Sequence, residues 1–267
     1  MLRQRIITAL ILAPLALWGL FGLDGAAFAT FTGAVVALAA WEWSNLSGVR
    51  AGMARLLFPL VLSVLMLLVW QFDGALARWP LYLAALAWLV NLRWVMRYPA
   101  ASQEWQATGV RLGVGVLALL PTWFGFVQLK ASGGEWLLYV LLMVWAADIG
   151  AYFSGKRFGK RKLAPRVSPG KSWEGVYGGL VATGLLATGY ALAGLADWLP
   201  LLLVTLGVTA VSVLGDLLES MFKRQRQMKD SSHLLPGHGG VMDRIDSLTA
   251  AVPLFALLLP WVLGGGA

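Results

Sequence analysis

The sequence predicts an all-α, polytopic integral membrane protein with about nine transmembrane helices, its N-terminus cytoplasmic and its C-terminus periplasmic or otherwise outside. Three observations carry that prediction: composition, the spacing of apolar runs, and the alternation of basic residues between them. Of 267 residues, 59% are hydrophobic and only 13% are charged, against roughly 25% charged in soluble domains. Mean hydropathy is +0.73. The 31 glycines and 11 prolines suit membrane helices, where both residues are commoner than in soluble ones. With no cysteine, disulfides and thiolate metal sites are excluded.

A hydrocarbon core about 30 Å thick takes roughly 20 mostly apolar residues per helix. In chain order the runs are Ile6–Leu23, Ala26–Trp41, Leu56–Phe72, Leu81–Val95, Val110–Leu129, Trp136–Phe153, Trp173–Leu195, Trp198–Leu218 and Leu248–Leu263. Basic residues gather on the cytoplasmic side of membrane proteins, and here they alternate with the runs. Arg3 and Arg5 precede the first, Arg50 and Arg55 lie between the second and third, and Arg93, Arg97 and Arg111 cluster around the next inner connection. Two longer inner loops follow, Ser154–Ser172 and Glu219–Asp246, so that 19 of the 21 basic residues face inward and only Arg78 and Lys130 face outward. Trp18, Trp41, Trp70, Trp79, Trp136, Trp173 and Trp198 fall near span ends, as an aromatic belt places them.

Residues 1–29 also carry the ingredients of a signal peptide, with Arg3 and Arg5 as the charged region and "AAFA" as a cleavage site. Its removal would leave the orientation of the other eight spans unchanged. The net charge of +8 reads as topology signal rather than nucleic-acid binding, since no basic tract interleaved with aromatics stands clear of the bilayer. The absence of an internal repeat speaks against a transporter built from inverted repeats. The chain divides into residues 1–135, about five spans without a motif, and residues 136–267, which hold the chemistry and the inner loops 154–172 and 219–246.

Ionisable residues within or beside membrane spans are costly and mark function. Asp148 lies near the inner end of the sixth span, Lys171 and Glu174 flank the start of the seventh, and Asp216, Glu219, Ser220 and Lys223 stand at the inner end of the eighth. Asp243 and Asp246 immediately precede the ninth, where Ser247 is placed to cap the helix. The spacing i, i+3, i+4, i+7 of Asp216, Glu219, Ser220 and Lys223 puts them on one stripe if that helix continues past the membrane. Carboxylates without thiols favour Mg²⁺. The surrounding Lys171, Lys223, Arg224, Arg226, Lys229 and Arg244 are suited to phosphate oxygens, and the pairing of metal with base points to phosphoryl or nucleotidyl transfer. "PGHGG", Pro236–Gly240, can take positive φ and bring backbone close to a phosphate. "GKS" at Gly170–Ser172 is not a phosphate-binding P-loop, because the required earlier glycine is replaced by Pro165.

Blander readings compete at each position. The bases of loop 154–172 suffice as topology signals, Asp243–Arg244–Asp246 would serve as a helix-capping ion cluster, Asp148 would pair with a base to hold helices together, and His238 would be a hydrogen-bonded loop residue. Across the whole chain a channel or a lipid kinase is the rival. A channel spreads its acids through the membrane depth, whereas these crowd at one face.

The stretch "SMFKRQRQMKDSSHLLPGHGGVMDRID", Ser220–Asp246, resembles the signature of the phosphatidate cytidylyltransferase (CDP-diacylglycerol synthase) family of bacterial type. Ser220, Lys223, Arg224, Lys229, Asp230, His238, Gly239, Gly240, Asp243, Arg244 and Asp246 meet its fixed positions. "FGKRKLAPRVSPGKSWEG" is similar to the family's inner loop, and Asp148 stands where such proteins carry an acid. The resemblance implies CTP and phosphatidate as substrates, CDP-diacylglycerol and pyrophosphate as products, Mg²⁺ with or without a second cation, and a homodimer in the bacterial inner membrane with its site facing the cytoplasm. It implies Asp216, Asp243 and Asp246 as metal ligands and, with Lys223, as the catalytic set. Lys171, Ser172, Ser220, Lys223, Arg224, Lys229, Arg244, His238, Gly239 and Gly240 would contact or shape the substrate site, with Asp148 a further candidate.

Overall fold

The computed structural model describes residues 2–50, 52–72 and 78–264. In chain order it comprises α1 (Leu2–Gly22), α2 (Gly25–Leu46), α3 (Ala54–Trp70), α4 (Trp79–Met96), α5 (Ser102–Trp105), α6 (Thr108–Ala131), α7 (Gly134–Phe158), β1 (Lys162–Ala164), β2 (Ser168–Ser172), α8 (Trp173–Leu192), α9 (Trp198–Gln225), α10 (Met242–Ile245) and α11 (Leu248–Val262). Each expected apolar run lies on a long helix. Five of these, α2, α6, α7, α8 and α9, are long and apolar enough to cross a membrane by length and composition. The apolar part of α1 (Ile6–Gly22), α3 and α11 are shorter.

The outside of the bundle is greasy. Leu10, Leu185 and Leu192 are 68%, 71% and 85% exposed, an apolar surface that in a soluble monomer would be an aggregation liability. Within the apolar interior, buried polar side chains bridge helices. Tyr139 Oη and Thr205 Oγ1 lie 2.5 Å apart across α7 and α9, and Thr209 Oγ1 donates to Thr183 Oγ1 at 3.1 Å across α9 and α8. Trp18, Trp70, Trp79, Trp173 and Trp198 are exposed and Trp41 is half-buried, but Trp136 departs from the expected belt. It is buried against Tyr139 and Phe255, because the first turns of α7 pack inward against α11.

The prolines of α11 explain two neighbouring contacts. Pro260 has no N–H for the carbonyl four residues earlier, and that Ala256 carbonyl accepts instead from Arg78 Nη2 at 3.0 Å. Pro253 likewise frees the Thr249 carbonyl, which accepts from Thr122 Oγ1 at 3.2 Å. Lys130, the other outward base, donates to the Leu20 carbonyl at 2.6 Å in the last turn of α1 and pairs with Asp24 at 3.1 Å. Both exceptions to the charge alternation therefore satisfy helix carbonyls.

α7 and α8 meet along a seam of small residues. A Cβ on Gly150 would lie 2.5 Å from the Gly178 carbonyl, and one on Gly179 would lie 3.0 Å from the Ala147 carbonyl, so side chains there would force the backbones apart. Between these helices the chain is not wholly helical as expected. Within loop 154–172, α7 runs on to Phe158, and β1 and β2 form an antiparallel hairpin pairing Lys162 with Ser172 and Ala164 with Ser168. The hairpin supplies backbone partners to a segment that leaves the helix at Gly159. Loop 219–246 likewise begins as helix, because α9 continues through Gln225.

Candidate active site

The C-terminal ends of α2, α7 and α9, the hairpin and the start of α11 converge at one end of the bundle. Cross-links fix that convergence. Arg224 Nε donates to the Val167 carbonyl of the hairpin at 3.1 Å, and Thr8 Oγ1 of α1 donates to the Pro236 carbonyl at 2.8 Å. Glu174, in the first turn of α8, accepts from the backbone N–H groups of Lys160 and Arg161 and pairs with Arg161 Nε at 3.2 Å, which ties down the turn before β1.

Two lysine–carboxylate clusters form there. In the first, Lys171 of β2 meets Asp216 of α9 at 2.7 Å, and Ser220 one turn on donates to Asp216 Oδ1 at 3.1 Å. The pair is partly open to solvent and faces a cavity of about 400 Å³ whose wall includes Asp148, Lys156, Lys171, Ser172, Thr209 and Ser247. Gly155, Gly175 and Gly179 complete it, so the seam that lets α7 and α8 touch also leaves room beside Lys171. Asp148 stands within electrostatic reach of Lys171, Asp216 and Arg244.

In the second cluster Lys223 bridges Glu219 and Asp243, each at 2.7 Å. Glu219 is fully buried, and its Oε1 has no hydrogen-bond partner among the described residues. Asp243 clasps the glycine loop. Its Oδ2 accepts from Ser231 N at 2.9 Å, Ser231 Oγ at 2.9 Å and Gly240 N at 2.7 Å. Burial alone would raise Asp243, but the Lys223 ammonium and the N–H donors of Gly240 and Ser231 outweigh it and hold the carboxyl below the ordinary aspartate range. The loop can close this tightly only on glycine. Gly239 has φ +82°, and a Cβ there would lie 2.7 Å from Asp243 Oδ2.

Asp246 sits between the clusters. Gly215 of α9 packs against it so closely that a Cβ would lie 2.5 Å from the Asp246 carbonyl. Burial, and next the Asp216 carboxylate, push Asp246 up to about 7. Its Oδ1 accepts from Ser247 N at 2.7 Å. The expected cap is thus reversed. Ser247 has helical angles, φ −64° and ψ −34°, and makes no side-chain cap, because α10 runs almost directly into α11. Ser172 is the true capping serine, accepting from Gly175 N at 3.2 Å at the start of α8.

The structure therefore gathers Asp148, Lys171, Ser172, Asp216, Ser220, Lys223, Gly239, Gly240, Asp243 and Asp246. Arg224 and Lys229 are exposed on the same end, Arg224 being engaged with the hairpin. Arg244 lines a separate apolar cleft of about 350 Å³ between α1, α2, α6 and α7. His238 donates its backbone N–H to the Leu235 carbonyl at 2.8 Å, and its buried Nδ1 has no partner among the described residues. Among the described residues, no three His, Asp or Glu side chains stand close enough to hold a metal ion. Lys171 and Lys223 neutralise the acids instead.

One residue escaped the sequence reading. Glu42 of α2, fully buried, accepts hydrogen bonds from Ser231, Ser232, Val241 and Met242. An acid beside an apolar run is a signal, but the expected second run stops at Trp41, one residue short, whereas α2 extends to Leu46.

Comparison with known proteins places the chain in a family. The model of the cytidylyltransferase family matches residues 3–262. The phosphatidate cytidylyltransferase of Pseudomonas aeruginosa is 54% identical, with the whole of both chains covered. That of Haemophilus influenzae is 40% identical over 98% of this chain and 100% of the relative, and that of Bacillus subtilis is 40% identical over 55% of this chain and 58% of the relative. A match that spans residues 3–262, with a relative 54% identical over the whole of both chains, means that this chain belongs to the cytidylyltransferase family.

Proposed function

We propose that this chain transfers the cytidylyl group of CTP to phosphatidate, forming CDP-diacylglycerol and pyrophosphate. The observation that carries the proposal is the pair of lysine–aspartate contacts at one end of the bundle, Lys171–Asp216, whose lysine lines a cavity between membrane helices, and Lys223–Asp243 beside the glycine loop. A phosphate oxygen of phosphatidate attacks the α-phosphorus of CTP as the bond to the bridging oxygen breaks, and the leaving group is pyrophosphate. No covalent intermediate with the protein is needed. The side chains act by position and charge. Lys171 is placed to hold a phosphate at the cavity mouth, and Lys223 to neutralise charge beside the glycine loop. Arg224, Lys229 and Arg244 enlarge the positive field for the triphosphate and the lipid phosphate. Ser220 orients Asp216, while Gly239, Gly240 and His238 set the shape of the loop.

The donor set suits Mg²⁺, being all carboxylate oxygen with no thiol. Asp216 and Asp246 adjoin each other, Asp243 Oδ1 has Lys223 as its one donor, and the orphaned Glu219 Oε1 marks unspent acceptor capacity. Asp216 and Asp246 would hold the cation together with substrate phosphate oxygens, and Asp243 would join them by a movement of the glycine loop, since no three acids converge among the described residues. When bound, Mg²⁺ supplies neutralisation of the phosphate oxygens.

An apolar cavity of about 560 Å³ between α4, the hairpin, α8 and α9 shares Val176 and Val213 with the wall of the site cavity, which gives a diacylglycerol tail a place beside its headgroup. The proposal extends to nine spans in the bacterial inner membrane, N-terminus and site cytoplasmic, C-terminus outside, on the strength of the basic residues at the site end. By family resemblance it also extends to a homodimer that acts on CTP and phosphatidate without nucleic acid.

The test is direct. Purified protein given labelled CTP and phosphatidate should form CDP-diacylglycerol with Mg²⁺ and none when the divalent cation is chelated. Well-folded protein that forms no product with Mg²⁺ would overturn the assignment.

A further inference from the structure

Glu42 lies on α2, in a part of the chain that carries none of the signature, yet its two oxygens meet only the signature loop. Oε1 accepts from Ser232 Oγ at 2.5 Å and Val241 N at 3.0 Å, and Oε2 accepts from Ser231 Oγ at 3.1 Å and Met242 N at 2.6 Å. The side chain is entirely buried. The neighbouring opposite charge is Arg55 of α3, whose guanidinium lies 3.8 Å from the centre of the Trp41 ring and does not ion-pair with Glu42 among the described residues. The donors bracket the loop, with Ser231 and Ser232 at its start and Val241 and Met242 at its end. Ser231 is shared, its hydroxyl also lying 2.9 Å from Asp243 Oδ2. Gly240 fills the remaining space, since a Cβ there would lie 2.5 Å from Glu42 Oε1.

From this geometry we propose that Glu42 is a positioning residue of the active site, a buried acceptor that closes loop 231–242 and through Ser231 and Gly240 fixes the direction of Asp243. The proposal rests on the cytidylyl-transfer reading for its kinetic readout only. A carboxylate is required because each oxygen meets a backbone N–H, Val241 on Oε1 and Met242 on Oε2: an amide would turn its own N–H towards one of them, leaving a buried donor unmatched. Glu42 thereby gives the N-terminal helices a part in the site, holding the loop that α9 and α11 leave open between them.

The experiment compares full-length wild type with Glu42→Gln and Ser232→Ala, reading kcat, the KM for CTP, the Mg²⁺ concentration for half-maximal rate, and hydrogen exchange at the amides of Gly240, Val241 and Met242. A misplaced catalytic group costs on the order of 100-fold. Glu42→Gln should therefore lower kcat by about that factor, raise the Mg²⁺ requirement, leave the KM for CTP nearly unchanged, and speed exchange at the three amides while the helices stay protected. Ser232→Ala, which removes one donor and keeps the acid, should shift the same quantities the same way by a smaller factor. It decides the matter if Glu42→Gln does not fold. Wild-type kcat and Mg²⁺ requirement in a folded variant would overturn the proposal, as would loss of rate with the loop amides unchanged. If the wild type itself makes no product, the cytidylyl-transfer reading falls, and amide exchange alone then decides whether Glu42 holds the loop.

Discussion

Lys171 and Lys223 make ion pairs of equal length in unequal surroundings. Lys171–Asp216 is partly open, with side chains 27% and 29% exposed, whereas Lys223 joins Asp243 and the wholly buried Glu219. An exposed pair contributes about 0 to 1 kcal/mol to stability, which leaves the first pair free to exchange partners with substrate. The second, more buried, holds structure together. Asp246 sets a pH dependence of its own. Burial and Asp216 raise it to about 7 in the folded chain, above its unfolded value near 3.9. The folded state is therefore favoured by Asp246 below the unfolded value, and that contribution is lost as pH rises through about 7. Without divalent cation, thermal stability should fall between about pH 4 and 7 more steeply in the wild type than in Asp246→Asn. Equal slopes in the two proteins would contradict the assigned environment. The Asp216–Lys223 stripe was readable from spacing alone, since helical period places those residues together. Glu42 was visible only as an acid at the end of an apolar run; its partners lie 189 to 200 residues away, and only the packing of α2 against the loop reveals them.

At the scale of elements, α11 shows how a membrane helix tolerates proline. The Ala256 carbonyl freed by Pro260 takes its bond from Arg78, and the Thr249 carbonyl freed by Pro253 takes its bond from Thr122. An unsatisfied buried acceptor costs about 1 to 3 kcal/mol. Arg78→Ala should destabilise the purified protein by about that amount, measured by denaturant or thermal unfolding, with the KM for CTP unchanged. A variant as stable as wild type would show that water or lipid replaces the arginine. The apolar runs and the charge alternation were legible in the sequence because both follow from the bilayer. The hairpin was not, since "KLAPRVSPGKS" has no run of β-branched alternation and is ordered by Glu174, Arg224 and the ends of α7 and α8. The Ser247 cap failed for a related reason, because α10 and Asp246 already occupy the start of α11.

Over the whole molecule, an apolar exterior carries one polar end, and the lysine–carboxylate clusters are concentrated there. Helices α4 and α6 of the first half pack against α11 of the second, and through Glu42 the first half also reaches the glycine loop. The central claim, that the lysine–aspartate end performs cytidylyl transfer, is tested most directly by Asp216→Asn. This change conserves shape at a partly exposed position, so the fold should be kept. CDP-diacylglycerol formation from CTP and phosphatidate should fall by at least about 100-fold, with unfolding behaviour close to wild type. Near-normal turnover in the folded variant would contradict the account and place the chemistry elsewhere in the chain.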